Sequence, residues 1–367
     1  MFLSEYTSNR DNNFNLLRFI AAFIVLLTHS FSLVSGDILD EPLRRAMDMS
    51  LGDIAVDVFF VTSGFLITSS YLNRGNLIAF AWARILRIYP GLIVAMMFCV
   101  FVVGIWFTNL SISEYLLDTQ TYKYFFKNII LFFGVEYYLP GVFQGIPYEG
   151  AVNGSLWTLP HEVKMYVILA FILTIIIVLR KKIPFITFKN VLLFVGILSF
   201  VALIVDHFYP IRETSTFLPK FIRLFSAFFV GAMFYVWKDY IKLTYKWFLI
   251  LISLVLISSV DKDSYFIVYY LTLAYIIFFL AYVPGGMIRK FNSFGDYSYG
   301  LYIYAYPVQQ SLVSIYPNIT IINMVFFSFI ITLILSILSW HLVEKKFLKM
   351  KNNYKFIEIF LKKLRAP

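Results

Sequence analysis

The stretch "NLLRFIAAFIVLLTHSF", residues 15–31, places a cation and an imidazole inside one apolar run. Arg18 and His29 stand eleven residues apart, which at 100° per residue brings them within about 20° of one another on a helix. The same spacing sets them about 16 Å apart along the axis. Ala21, Ala22 and Val25 lie between them and leave a shallow groove of small side chains. A guanidinium fork binds phosphate oxygens in pairs. A neutral imidazole is the usual general base near neutral pH. Together they would suit an anionic donor anchored at one membrane boundary, with its reactive end carried across to a base. Each residue also has a plainer reading: Arg18 snorkels to the inner headgroups and His29 sits in the outer interface.

Other polar groups interrupt apolar runs. "GDIAVDVFFVTSGFLITSSY" (52–71) opens with Asp53 and Asp57, one turn apart on one face, and carries Ser63-Gly64 mid-helix. At its depth Asp57 is expected to pair with a cation or accept a proton. Ser63 and Gly64 read first as close helix packing through small residues. "WARILRIYP" (82–90) sets Arg84 and Arg87 side by side, either as positive-inside anchors or as a phosphate clamp on the same side as Arg18. "NGSLWTLPHEVKMY" (153–166) leads into a span through Pro160, His161 and Glu162. Proline and an acid both fit a first helical turn. Functionally, Glu162 would orient the His29 imidazole or contact a sugar hydroxyl. His161 and His207 read as interfacial polar residues, and His341, beside Trp340, as a boundary anchor.

The elements that must position these residues are membrane helices. Of 367 residues, 60% are hydrophobic and only 14% charged, with mean hydropathy +0.78. A soluble domain of this length could not bury that much apolar surface. The apolar runs are continuous rather than alternating, which excludes a barrel. The chain is therefore read as an all-α, polytopic integral membrane protein. The formal charge of +10 sits in short clusters between spans, a topology signal and not a nucleic-acid footprint, so no nucleic-acid partner is expected. The single cysteine, Cys99, excludes an internal disulfide or a thiolate metal site, and no metal is expected.

Spans are expected at roughly 14–35, 52–72, 86–107, 159–179, 190–209, 220–237, 246–260, 265–283, 298–316 and 320–341. The segment near 124–139 is apolar too, but Lys127 and Glu136 interrupt it. Arg74, Arg84 and Arg87, the cluster 180–189, Lys238, Lys242 and Lys246, and Arg289 and Lys290 all mark cytoplasmic connections. They agree with one another only if an even number of crossings separates residues 87 and 180. Segment 124–139 is therefore expected to be re-entrant or interfacial. About ten helices follow, in the inner (plasma) membrane, with both termini cytoplasmic.

The Arg-x10-His helix, "DVFFVTSGFL", "RILRIYP", "GSLWTLPHE", "SYGLYIYAYPV" and "SWHLVEKKF" occur in an order that resembles the acyltransferase-3 family of membrane O-acyltransferases, over about residues 14–347. The resemblance implies a transmembrane domain over 1–347 and a short basic cytoplasmic tail over 348–367. It implies an enzyme that takes an acyl group, most often acetyl, from cytoplasmic acyl-CoA and passes it to a hydroxyl of a surface polysaccharide or lipid-linked sugar. Acetyl-CoA would be the donor substrate, the glycan the acceptor, and the bilayer the surrounding partner. His29, Glu162 and Asp57 are the candidate catalytic residues; Arg18, Arg84, Arg87, Ser63 and Gly64 are the candidate donor-binding residues. One departure stands out: Ala305 occupies a position where the family often has histidine, so that role is absent or passes to Tyr304 or Tyr306.

His29 would take the acceptor proton during attack on the thioester, with Glu162 or Asp57 holding the imidazole; an acyl-histidine intermediate is the alternative. The rival class is a transporter or flippase using Arg18 and His29 as a relay, but the two-half repeats common in transporters are not visible here. A second competitor concerns the first span, which resembles a signal-peptide core with small residues at Val34-Ser35-Gly36. N-terminal sequencing of the mature protein should find the first span retained. A chain beginning at Asp37 would overturn the helix count.

Overall fold

The computed structural model describes residues 1–8, 11–210 and 217–356. Of the basic tail expected over 348–367, residues 357–367 lie outside the described residues. Among the described residues the fold is all-helical, with only isolated β-bridges. The long helices are α1 (Phe14–Ser35), α2 (Leu51–Arg74), α3 (Leu77–Met97), α4 (Thr119–Ile130), α5 (Thr158–Leu179) and α6 (Phe188–Phe208). They continue with α7 (Phe217–Val236), α8 (Tyr245–Ser258), α9 (Lys262–Tyr282), α10 (Ser298–Ile315) and α11 (Ile321–Ser339). Side chains mark many of the starts. Asn76, Thr187, Thr244, Asp261 and Thr320 each accept from a backbone N–H in the first turn of α3, α6, α8, α9 and α11, satisfying a donor the helix itself cannot.

Each of the ten expected spans is a helix. Among the described residues, eight helical segments are long and apolar enough to cross a membrane. The other two are α8 and α10. With 14 residues, α8 reaches about 21 Å, short of a hydrocarbon core of about 30 Å. Polar Tyr and Gln side chains lower the hydropathy of α10, but fifteen of its 18 residues are buried. Two boundaries differ from the expectation. Asn76 starts α3 well before residue 86, so Arg84, Arg87 and Pro90 all lie inside it. A π-helical turn, Phe98–Gly104, then carries the helix on to Phe107, and another, Trp340–Glu344, extends α11.

The segment near 124–139 is not among the helices long and apolar enough to cross. α4 has 12 residues and stops at Leu131, whose backbone is left-handed. The Asn128 amide then bridges forward, donating to the Glu136 carbonyl and accepting from the Glu136 N–H, each at 2.9 Å. The Glu136 carboxylate sits 3.2 Å from Lys123 and 3.3 Å from Lys127. Burial works against its charge, but bonds from Lys123 and Lys127 prevail and hold its carboxyl below the usual range. The two polar residues that interrupt the apolar run thus pair with each other.

The chain folds as two compact units. The first comprises the described residues of Met1–Ala21, Arg45–Leu72 and His161–Phe294; the second comprises those of Ala22–Arg44, Asn73–Pro160 and Gly295–Pro367. In the first, α2 and α7 meet through glycine. A Cβ added at Gly64 would lie 1.8 Å from the Phe228 carbonyl oxygen, and one at Gly231 would lie 2.1 Å from the Val61 oxygen. The two backbones therefore touch where each sequence has its smallest residue. About two turns along, Arg223 of α7 grips α2: Nη1 lies 2.5 Å from Asp53, Nη2 donates to the Asp53 carbonyl at 2.7 Å, and Nε donates to Asp57 at 3.0 Å. Tyr269 and Tyr270 of α9 donate to the other Asp57 oxygen at 3.2 and 3.1 Å. Three helices are joined through one fully buried carboxylate.

In the second unit α10 is the hub. Pro307 has no N–H to offer the carbonyl of Ile303, four residues back. The Asn153 amide supplies the missing donor at 2.9 Å, and its oxygen accepts from the Ser155 N–H. The Tyr306 ring lies against the backbone of Gly154, where an added Cβ would come within 2.5 Å of it.

Removing one partner of a buried, hydrogen-bonded ion pair costs about 3–5 kcal/mol. Arg223→Met should accordingly lower thermal stability in detergent sharply, and an unchanged melting temperature would contradict the network. Asn153→Ala leaves the Ile303 carbonyl without a donor and should cost about 1–3 kcal/mol in the same melt.

Candidate functional site

His29 lies in the second unit, half-buried, with its ring meeting the ring of Tyr306 edge to face at 5.2 Å and 79°. Ala21, Ala22 and Val25 are all buried, so the face that joins Arg18 to His29 looks into protein and not into lipid. The turn of α1 that carries His29 is clamped from α10. Fully buried Gln309 donates to the Leu26 carbonyl at 2.8 Å and to Ser30 Oγ at 2.7 Å. Its neighbour Gln310 donates to the Tyr148 and Ala151 carbonyls at 2.8 and 2.9 Å, pinning the loop that follows α4.

The "GSLWT" element is tied to the same helix. The Tyr302 hydroxyl gives its single hydrogen to the Ser155 carbonyl at 2.8 Å, so Thr158 Oγ1, 2.7 Å away, must donate to it. Of the two tyrosines beside Ala305, Tyr306 is the one against His29. Tyr304 packs instead on Phe98, with ring centroids 5.8 Å apart.

Arg84 and Arg87 are half-buried on α3. Arg87 is bound into an acidic cluster: Nη2 lies 2.5 Å from Asp296, Nη1 lies 3.9 Å from Glu344, and the guanidinium stands 5.8 Å from the centre of the Tyr299 ring. Those carboxylates are held in turn by Ser298 at 2.5 Å and Ser339 at 2.9 Å. Arg87 therefore comes with its charge already balanced.

The remaining candidates, His341 apart, belong to the first unit. The Arg18 guanidinium stands 5.7 Å from the centre of the Phe59 ring, a cation–π distance. Asp57 has the cation its depth required, and that cation is Arg223. Gly64 forms the backbone contact with α7, and Ser63 beside it is half-buried. Glu162 accepts a hydrogen bond from the Tyr166 hydroxyl one turn along α5. His161 is buried and stacked on Phe217 at 4.9 Å. His207 stacks on Phe266 at 3.8 Å with a ring nitrogen 2.8 Å from Asp263, and exposed His341 meets the Tyr297 hydroxyl at 3.2 Å.

Gln309, Asn153, Arg223, Asp296 and Glu344 are functional-site or framework residues with little local mark in the sequence. One signal was available: a proline inside a buried helix leaves a carbonyl that some distant donor must serve. The rest are pairings across long sequence separations, 209 residues for Arg87 with Asp296 and 283 for Gln309 with Leu26.

The Acyltransferase domain family model matches residues 11–341. The chain is 30% identical over 353 residues to an O-acetyl transferase of Shigella phage Sf6, covering 93% of this chain and 97% of that protein. It is 32% identical over 177 residues to Nodulation protein 10 of Rhizobium leguminosarum bv. viciae, covering 47% of each. No solved structure matches the chain. A match over nearly the whole length, with its Arg-x10-His helix on a buried face, settles the family: this chain belongs to the acyltransferase-3 family of membrane acyltransferases.

Proposed function

We propose that this membrane O-acyltransferase moves an acetyl group from cytoplasmic acetyl-CoA to a hydroxyl of a surface polysaccharide or lipid-linked sugar. The observation that carries the reading is His29, held edge-on against Tyr306 on a buried helix face that begins with Arg18. The name of the phage relative, O-acetyl transferase, supports acetyl as the group moved. The same reading puts both termini in the cytoplasm, which the basic clusters between spans support, and the protein in the plasma membrane.

On this reading the acceptor oxygen bonds to the thioester carbonyl carbon while the His29 imidazole removes its proton. The carbon–sulfur bond then breaks, and the imidazolium returns that proton to the departing sulfur. An ester and free CoA thiol result, and no electrons are gained or lost. Glu162, which matches the acid of the family's "SLW…E" element, is given the role of steadying the imidazolium. Asp57, whose oxygens already accept from Arg223, Tyr269 and Tyr270, is assigned to holding the first unit together instead. Arg18, Arg84 and Arg87 are assigned to the CoA phosphates. Asp296 already balances part of the Arg87 charge. Ser63 is kept beside the donor by motif resemblance, while Gly64 serves the approach of α2 to α7.

Native membranes containing the protein should transfer radiolabel from acetyl-CoA into their glycan fraction as an alkali-labile ester. A transporter would move label without forming that ester. Removing a general base costs roughly 10²–10⁴-fold in rate, so His29→Ala should lose transfer by that factor while retaining CoA binding. Substantial residual transfer would contradict the assignment. Arg84→Ala should raise the KM for acetyl-CoA several-fold with little change in kcat, whereas an unchanged KM would return Arg84 to topology alone.

A further inference from the structure

α10 presents two consecutive contacts to the turn of α1 that bears the proposed base. Tyr306 sets its ring against the His29 ring at 5.2 Å. Gln309, three residues on and therefore on the same face of α10, reaches the backbone of that turn. Its amide nitrogen donates to the Leu26 carbonyl at 2.8 Å and to Ser30 Oγ at 2.7 Å, and Ser30 Oγ donates to the Leu26 carbonyl at 3.0 Å. These three groups form a closed triangle in which each donor has its acceptor. A carbonyl can only accept, so the Leu26 oxygen fixes which end of the Gln309 side chain is the NH2 group. Gln309, Ser30 and Leu26 are all 0% exposed, so no water competes for these bonds. Leu26 and Ser30 bracket His29 at three residues before and one after. The donors of the Gln309 amide are thus committed to α1.

We propose that Gln309 is a positioning residue for acyl transfer: through Leu26 and Ser30 it fixes the rotation and height of the His29 turn against Tyr306. It touches neither donor nor acceptor. A helix in hydrocarbon has no hydrophobic force holding its register against a neighbour, so a polar clamp of this kind determines where the imidazole stands. General base catalysis requires hydrogen-bond reach to the acceptor proton, and displacement by about 1 Å costs on the order of 10²-fold in rate.

The inference rests on the reading of His29 as the base, and the test separates the two. Transfer of label from acetyl-CoA to the glycan fraction is measured in native membranes for wild type, His29→Ala, Gln309→Met, Ser30→Ala and the Gln309→Met/Ser30→Ala double variant, each normalised to folded protein. Gln309→Met keeps the side-chain length and removes both donors. It should lower kcat roughly ten- to hundredfold with the KM for acetyl-CoA unchanged within about twofold. Ser30→Ala should lower kcat by a smaller factor, and the double variant should be no worse than Gln309→Met, because both changes break one triangle. Wild-type kcat in Gln309→Met, a raised KM in place of a lowered kcat, or multiplicative losses in the double variant would each overturn the proposal. If Gln309→Met does not accumulate, Ser30→Ala decides: unchanged kcat there overturns it. Transfer that survives in His29→Ala would instead overturn the reading of the base itself.

Discussion

Within hydrocarbon every polar group needs a partner inside the protein, and that constraint organises this structure. The Asp57 carboxylate has three donors on two other helices. The carbonyl orphaned by Pro307 has Asn153. Arg87 has Asp296, and Gln309 has the Leu26–Ser30 turn. In each case the polar residue that lowers a segment's hydropathy is also the one that fixes that segment to a neighbour. Apolar packing between membrane helices is nonspecific by comparison, because lipid tails are as apolar as leucine.

The two units apply the constraint differently. In the first, backbone contact at Gly64 and Gly231 brings α2 and α7 close enough for Arg223 to reach two aspartates on one helix face. Close approach and charge pairing therefore depend on one another. In the second, nearly every side chain of α10 is committed inward. Tyr302 holds the "SLWT" element, Gln310 the loop after α4, and Gln309 and Tyr306 the His29 turn. One helix thereby sets the geometry of three segments that lie far apart in the chain.

Much of this was legible in the sequence. Continuous apolar runs gave ten helical segments, and charge parity removed segment 124–139 from the crossings before its Lys127–Glu136 pair and left-handed stop at Leu131 were seen. The depth of Asp57 demanded a cation, and helical spacing put Arg18 and His29 on a face that proved to be buried along Ala21, Ala22 and Val25. The partners were not legible. Nothing local marks Arg223 as the cation for Asp57, which lies 166 residues away, or Gln309 as the clamp on α1. A glutamine lowers hydropathy without showing what it binds, and the Asn76 cap sets the start of α3 ahead of the expected boundary. Nor does the spacing of Arg87 show that it sits among carboxylates contributed by distant segments.

The central claim is that the protein esterifies glycan hydroxyls in a membrane. Compositional analysis of surface glycans from cells with and without the chain tests it most directly. O-acetyl groups should be present when the wild-type chain is made and missing when it is absent. An identical O-acetyl content in the two cell types would contradict the account.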